Sequence, residues 1–363
     1  MHRAVGWHMN ARARRRLSGA ALVASVALAL SGCSGANTAS SNRQSGTHID
    51  STGWSQQQKF SSLAEVPQDL ACAGPDLCLA VFGSSVLIWK AGHWSKSSLE
   101  VPGLGNNLEF QRATCPTSTE CFVVASGSNG SLRLARTVFL TYRNGVWSSP
   151  TMLTGSDYYG ITCLTATDCI AVGWIPPPIP TSKSPALSGL PAIARYDGQS
   201  WTQEPQLPGT SERTGGLFEA TCTGSDFCLA TDGGGDALVI DGSSLKVTQP
   251  FPGDTDEDEV ACANPDLCLA LNAGGFEISV FDGSRWTVDS VDPNALTTIG
   301  CSPTTCYAGD SNGNLEWTLG GSWSKPTKIG SSAIAAISCP EISFCMAATS
   351  KGYYMTMTLP APD

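Results

Sequence analysis

Fourteen cysteines set out as seven close pairs constrain this chain more than any other feature. The pairs are Cys72/Cys78, Cys115/Cys121, Cys163/Cys169, Cys222/Cys228, Cys262/Cys268, Cys301/Cys306 and Cys339/Cys345. Successive first cysteines are 43, 48, 59, 40, 39 and 38 residues apart. A period near forty residues, with several short strands per unit, is the sequence mark of propeller blades. The rest of the repeat agrees. After each second cysteine comes a large apolar residue: Leu79, Phe122, Ile170, Leu229, Leu269, Tyr307 and Met346. A small or β-branched one follows: Ala80, Val123, Ala171, Ala230, Ala270, Ala308 and Ala347. Neighbouring side chains of a strand point to opposite faces. Each blade therefore offers bulk on one face and a shallow surface on the other, which stacked blades can interdigitate.

Further along each unit is a glycine turn followed by tryptophan, as in Gly92-His93-Trp94, Asn144-Gly145-Val146-Trp147, Asp197-Gly198-Gln199-Ser200-Trp201, Asp282-Gly283-Ser284-Arg285-Trp286 and Gly320-Gly321-Ser322-Trp323. The unit at Asp241-Gly242 has Leu245 in place of tryptophan. Such dipeptides favour the positive φ of tight hairpins. One unit thus reads as strand a ending at the first cysteine, strand b from the second, strand c, and strand d after the turn. The last unit stops after strand c, and the missing strand d is found at Gly53-Trp54-Ser55-Gln56. The expected fold is all-β: a seven-bladed propeller of four-stranded antiparallel blades, with the N-terminal strand completing the last.

Fourteen cysteines admit many connectivities. Local repetition favours pairing within each unit, across the a–b hairpin. The alternative is metal ligation, but pairs spread around a ring cannot share one tetrahedral zinc.

The first 32 residues read as an export signal. Arg3, Arg12, Arg14, Arg15 and Arg16 precede an uncharged, mostly apolar stretch from Leu17 to Gly32, too short to span a membrane comfortably. The stretch ends in Leu30-Ser31-Gly32-Cys33. This resembles the lipobox of bacterial lipoproteins, which implies cleavage before Cys33 and diacylglyceryl attachment to it. Residues 33–50, rich in Ser, Asn, Thr and Gly, read as a flexible tether with a reach of roughly 23 Å, and residues 51–363 as the propeller. Both ends of the ring fall on the side of the c–d turns, so the opposite side is expected to face away from the membrane. Loss of five arginines leaves 16 Lys and Arg against 31 Asp and Glu, a net charge of −15. That field repels nucleic acid and anionic headgroups. An exported, lipid-anchored monomer outside the cytoplasm is expected.

The Asp-Gly-x-x-Trp segments at Asp197 and Asp282 look like shortened Asp boxes, and the repeat is similar to that of exported bacterial propellers of the sialidase-like kind. The resemblance covers nearly all of residues 51–363. It implies a fold and carries no activity.

In an antiparallel meander, the a–b hairpins and c–d turns share one end and the b–c and d–a connections the other. The second set varies: it includes the Pro-rich insertion at Pro176, Pro177, Pro178 and Pro180, and the acidic run Gly253 to Glu259. Variable loops on a regular scaffold usually carry recognition. The candidate binding face therefore comprises Glu109, Arg112, Tyr158, Tyr159, Glu219, Asp256, Asp258 and Glu259. No cofactor is expected. Asp254, Asp256 and Asp258 form a weak calcium candidate, since clustered carboxylates suit a hard cation but lack an ordered loop spacing. Asp310-Ser311-Asn312-Gly313-Asn314 resembles half a calcium loop, and turn chemistry explains it without metal.

Catalytic options are narrow. Past Cys33 only His48 and His93 remain, too few for a Ser-His-Asp triad or a multi-histidine metal centre. A sialidase mechanism needs three converging arginines, and Arg112 alone falls on an expected inner strand. A quinone-dependent dehydrogenase would need a dedicated cofactor pocket. The leading expectation is a non-catalytic binding or scaffold module with a protein or glycan partner. The alternative is a glycan-processing hydrolase or lyase using carboxylates at the channel mouth.

Overall fold

The computed structural model describes residues 53–60, 66–97, 99, 101, 108–127, 136–175, 190–204, 216–224, 226–232, 235–241, 244–251, 257–272, 274–289 and 295–358. Cys33, the tether, the Pro-rich insertion, Asp254 and Asp256 lie outside these residues, as does the side chain of Asp258.

Seven antiparallel sheets form, each in the order a-b-c-d. Blade 1 comprises Asp69–Gly74, Leu77–Phe82, Ser85–Lys90 and His93–Lys96. Blade 2 comprises Leu108–Thr117, Glu120–Gly127 and Arg136–Arg143, with its outer strand broken into Val146–Trp147 and Thr151–Thr154. Blade 3 is Asp157–Thr165, Asp168–Ile175, Leu190–Tyr196 and Trp201–Gln203. Blade 4 is Leu217–Thr223, Phe227–Asp232, Ala237–Asp241 and Ser244–Thr248. Blade 5 is Glu257–Asn264, Leu267–Asn272, Ile278–Phe281 and Trp286–Asp289. Blade 6 is Leu296–Cys301, Cys306–Asp310, Asn314–Thr318 and Thr327–Lys328. Blade 7 is Ile334–Glu341, Phe344–Thr349, Tyr353–Thr358 and, from the front of the chain, Gln58–Lys59. The seven a strands neighbour one another in sequence order, and that of blade 7 returns to that of blade 1.

The core lies between blades and follows the bulk-and-shallow pattern. Leu79 and Val81 of blade 1 pack on Ala113, Cys121 and Val123 of blade 2. Phe122 meets Cys169 and Ala171, and Ile170 meets Cys228 and Ala230. The same relation joins Leu229 to Cys268, Leu269 to Cys306 and Ala308, Tyr307 to Cys345 and Ala347, and Met346 to Cys78 and Ala80 across the closure. Each second cysteine is thus part of the shallow face, as well as half of a bridge.

All seven disulfides form within blades, with Cα–Cα distances of 3.9 to 4.1 Å. Although hairpin ends are usually exposed, Cys78, Cys121, Cys268, Cys306 and Cys345 are wholly buried, and Cys169 and Cys228 nearly so. The neighbouring blade covers them. The second cysteine of each bridge therefore belongs to the core, while Cys115, Cys163, Cys222, Cys262 and Cys301 stay partly exposed. Blade 7 also departs from simple pairing across its hairpin. Its register slips between Ser338 and Glu341, where the Cys339–Cys345 bridge closes a bulge.

At the same end, Ala91-Gly92 and Asn144-Gly145 both take positive φ, as tight c–d hairpins require. The tryptophan after the turn packs on the residue opposite it in strand c: Trp94 on Trp89, Trp147 on Tyr142, Trp201 on Tyr196 and Trp286 on Phe281, with ring centroids 5.0 to 5.5 Å apart. In blade 4 Leu245 stands opposite Ile240, an aliphatic version of the same pair. Asp197 and Asp282 each accept two turn N–H groups at 2.8 to 3.0 Å. These bonds hold the Asp197 carboxyl below the usual carboxylate range, and the Ser284 hydroxyl, with the same kind of N–H bonds, does so for Asp282.

The closing strand runs further than residues 53–56. Trp54 bridges Met357, Gln58 lies opposite Tyr354, and Phe60 N donates to Gly352 O at 3.1 Å. Phe60 is fully buried among Phe82, Trp94 and Tyr354, at 4.9 to 5.7 Å between centroids. Burial of Phe60, two residues beyond the polar Gln56-Gln57-Gln58 run, explains the extension.

Candidate functional site

The a strands begin at the end opposite the disulfides, and most are irregular there in the same way. Register slips at Phe110/Arg112, Tyr158/Gly160, Leu217/Glu219, Glu257/Glu259, Leu296/Thr298 and Ile334/Ala336. A bulge adds one residue to its strand and re-aims side chains. The extra residues are Gln111, Tyr159, Phe218, Asp258, Thr297 and Ala335, and those whose side chains are described are all partly exposed. They rim the channel mouth.

The next residue of each strand lies three before the first cysteine. Around the ring these are Asp69, Arg112, Gly160, Glu219, Glu259, Thr298 and Ala336. This level carries charge. Arg112 Nε lies 3.6 Å from Glu219 Oε1, with 19% and 16% of the two side chains exposed. Arg112 belongs to blade 2 and Glu219 to blade 4. Blade 3 places Gly160, without a side chain, between them. A Cβ there would lie 3.0 Å from Phe218 O and 3.1 Å from Glu219 Cα. Burial pulls the Arg112 guanidinium toward neutrality, but Glu219, Asp69 and Glu259 together outweigh it and raise its pKa above the ordinary arginine value. Asp69 Oδ2 accepts Ala113 N at 2.7 Å, and Glu259 Oε1 accepts Thr298 Oγ1 at 2.8 Å. The cluster therefore also fastens blade 1 to 2 and blade 5 to 6.

Above it, on blades 3 and 4, the Tyr159 and Phe218 rings stack at 5.9 Å and 26°. Trp174 Nε1 donates to the Tyr159 hydroxyl at 2.9 Å. Burial pushes the Tyr159 hydroxyl up to about 12, and the nearby carboxylates of Asp157 and Glu109 add to the shift against the Trp174 bond. Burial also raises the Asp157 carboxyl, again opposed by Trp174. Glu109 is exposed, and Gln111 Nε2 donates to Ser126 Oγ at 3.0 Å. Two aromatic faces, a carboxylate rim and a compensated arginine below can stack on a flat or cationic group and accept hydrogen bonds from it.

Most candidate residues of the face whose side chains are described meet here: Glu109, Tyr159, Arg112, Glu219 and, deeper, Glu259. Tyr158 does not. It is fully buried between blades 2 and 3, 5.9 Å from the Phe139 ring centroid, because the bulge that aims Tyr159 at the mouth leaves its neighbour on the core side. Asp157, Trp174 and Phe218 belong to the site and were not singled out by sequence. Aligning the repeats on the first cysteine shows the signal, since Phe218 and Tyr159 share one position. Asp310 accepts Asn312 N, Asn314 N and Asn314 Nδ2 at 2.7 to 2.9 Å; its carboxylate caps its own turn. Among the described residues, no group of three His, Cys, Asp or Glu side chains is placed to hold a metal.

The position four past the second cysteine sorts the blades. Asp232, Asn272, Asp310 and Thr349 each cap a short b–c turn in blades 4 to 7. Blades 1 to 3 have Phe82, Ala125 and Gly173 there. The long b–c connections, 128–135 and 176–189, belong to blades 2 and 3, and the d–a connection 205–215 joins blade 3 to 4. In sequence, these long connections fall on blade 3, which carries Tyr159, and on its two neighbours.

The sequence matches no family model and no curated protein. Solved structures do resemble it. YCF48 bound to D1 peptide shares 12% identity over 86% of this chain and 99% of its own, with a TM-score of 0.61. Virginiamycin B lyase from Staphylococcus aureus shares 13% over 85% and 100%, also at 0.61. U3-55K shares 8% over 84% and 98%, at 0.64. At such identities the likeness shows the propeller fold alone.

Proposed function

We propose that this chain is an exported lipoprotein of the cell envelope, anchored through Cys33, whose propeller binds a protein or glycan partner at the channel mouth without turning it over. The observation that carries the reading is the partly exposed Tyr159–Phe218 stack, set among Glu109, Asp157 and Arg112 on the blades with the longest connections. Aromatic anchors ringed by polar groups dominate binding surfaces. The fold neighbours add that propellers of this shape include a peptide-bound protein. Alanine at Tyr159 or Phe218, set against alanine at the exposed Val146 of the disulfide end, tests it on peptide and glycan arrays. Loss of captured ligand by at least tenfold at the mouth only is expected. Equal loss at Val146, or none at either mouth position, overturns the reading.

A second reading is a glycan-processing lyase or hydrolase. It is favoured by the Asp157 carboxyl, raised by burial as a general acid requires, and by the lyase among the fold neighbours. A form of that lyase with one histidine replaced is catalytically inactive. In this chain His93 is exposed beside a c–d turn, at the far end from the mouth. Release of reducing ends or unsaturated products from envelope glycans, abolished by Asp157→Asn, would establish turnover.

A further inference from the structure

We infer that the mouth takes a basic peptide segment, with a lysine or arginine side chain laid over the Tyr159–Phe218 pair. This rests on the binding reading above and narrows its partner. Three features select that chemistry. The first is charge. The inner level holds Asp69, Glu219 and Glu259 against Arg112, leaving two negative charges, and Glu109 and Asp157 stand above it. Among the described residues, Lys59, Lys96, Lys328, Lys351 and Arg136 lie at this end on outer strands or turns of blades 1, 2, 6 and 7, and the a strands of blades 3 and 4, which carry the aromatic pair, hold no cation.

The second is that the nitrogen donors of these side chains are already engaged. Trp174 Nε1 serves Tyr159, Gln111 Nε2 serves Ser126, and Arg112 serves the acids. The exposed carboxylate of Glu109 is left to meet a ligand, and the Asp157 carboxylate, itself bonded by Trp174, adds its charge at Tyr159. A neutral glycan presents hydroxyls that both give and accept, and an anion needs donors. An ammonium or guanidinium group only donates and matches this rim. The third is the pair of partly exposed ring faces, since a cation is drawn to an aromatic quadrupole within about 6 Å of its centroid. On the described a strands Arg112 is the one group suited to an anion, and three carboxylates compete for it.

The full chain in detergent is titrated by fluorescence anisotropy with labelled peptides of equal length: one alternating lysine and arginine with glycine, one with glutamate in their place, one with serine. The basic peptide is expected to bind, about fivefold more weakly as salt rises from about 50 to 300 mM, because the charges are screened. Tyr159→Ala and Glu109→Gln should each weaken it about tenfold, while Asp76→Asn at the disulfide end leaves it unchanged. Equal binding of the serine or glutamate peptide, still lost in Tyr159→Ala, overturns the charge class and keeps the mouth. A glycan that displaces the basic peptide more tightly than a second peptide does overturns the peptide class. Basic-peptide binding indifferent to both mouth substitutions overturns the inference and the binding reading together.

Discussion

Removing the positive member of the channel cluster, by Arg112→Met, tests the inner ring directly. Methionine keeps most of the side-chain length and removes the charge. The Arg112–Glu219 separation of 3.6 Å corresponds to about 4–5 kcal/mol of attraction at an effective dielectric constant of about 20. Breaking a largely buried pair by deleting one partner costs about 3–5 kcal/mol, because the other charge stays behind. Here Asp69 and Glu259 also lose their cation. A domain of about 300 residues unfolds with an entropy near 0.6 kcal/mol/K, so a loss of about 4 kcal/mol lowers Tm by roughly 6 °C at pH 7. The pH dependence has a definite sign. Carboxylates paired with arginine stabilise the native protein above the ordinary carboxylate range near 4, and that contribution is lost as pH falls. In the variant, crowded acids repel, and protonation relieves them. Both effects shrink the gap between the two proteins as pH falls from 7 toward 4. Adding Glu219→Gln to the variant should recover part of the loss at pH 7. The assay is calorimetric Tm across this range. A drop under about 1 °C, or a gap that widens in acid, refutes the electrostatic account of the ring.

Phe60→Ala, which empties a buried site on the closing strand, should cost about 3–5 kcal/mol, or roughly 5–8 °C of Tm, whereas alanine at Trp317, 46% exposed, should move Tm by about 1 °C or less. Replacing Cys72 and Cys78 together by alanine opens a seven-residue loop and should cost about 2 kcal/mol by loop entropy, read as a Tm loss of about 3–4 °C, with mass mapping of the wild type recovering seven local bridges. Asp310→Ala leaves two turn N–H groups without their acceptor and should cost about 1–3 kcal/mol, measured by denaturant titration. Cys33→Ser should abolish incorporation of an alkyne-labelled fatty acid in cells, and continued labelling would sink the anchor.

Blade count, the pairing of cysteines, the face-to-face packing and the donated outer strand were all legible, because each rests on a feature repeated seven times. Leu79 and Ala80 alone say little; the same pair recurring at every second cysteine fixes which faces meet. Burial of Cys345 and its counterparts was not legible from the pairing, since it depends on the neighbouring blade closing over each hairpin. The site was legible only in part. Tyr158 and Tyr159 look alike in sequence, and a bulge between Tyr158 and Gly160 sends one into the core and the other to the mouth. Alternation cannot place residues at an interrupted register. Trp174 is the last residue but one of strand b of blade 3 and reaches Tyr159 only once the sheet is formed. Arg112 and Glu219 are 107 residues apart and meet because Gly160 leaves the level between them open.

That division has a physical origin, and it bears on where change is tolerated. The disulfide end is uniform: the bridges close short loops, the aromatic pairs repeat, and the c–d turns cap themselves. Every blade carries its own disulfide there. The mouth end repeats its bulges, which cost ladder hydrogen bonds, in most blades, but places most of its long connections on blades 2 to 4. A structure that needed the mouth only to hold itself together would repeat there too, as blades 4 to 7 do with their capped turns. The charged level is the one mouth feature that also joins blades, through Asp69 to Ala113 and Glu259 to Thr298. Substitutions at Tyr159, Phe218 and Glu109 should therefore change binding with little effect on Tm, while those at Arg112 should change Tm first; a library scored for both properties would show the two classes as separate.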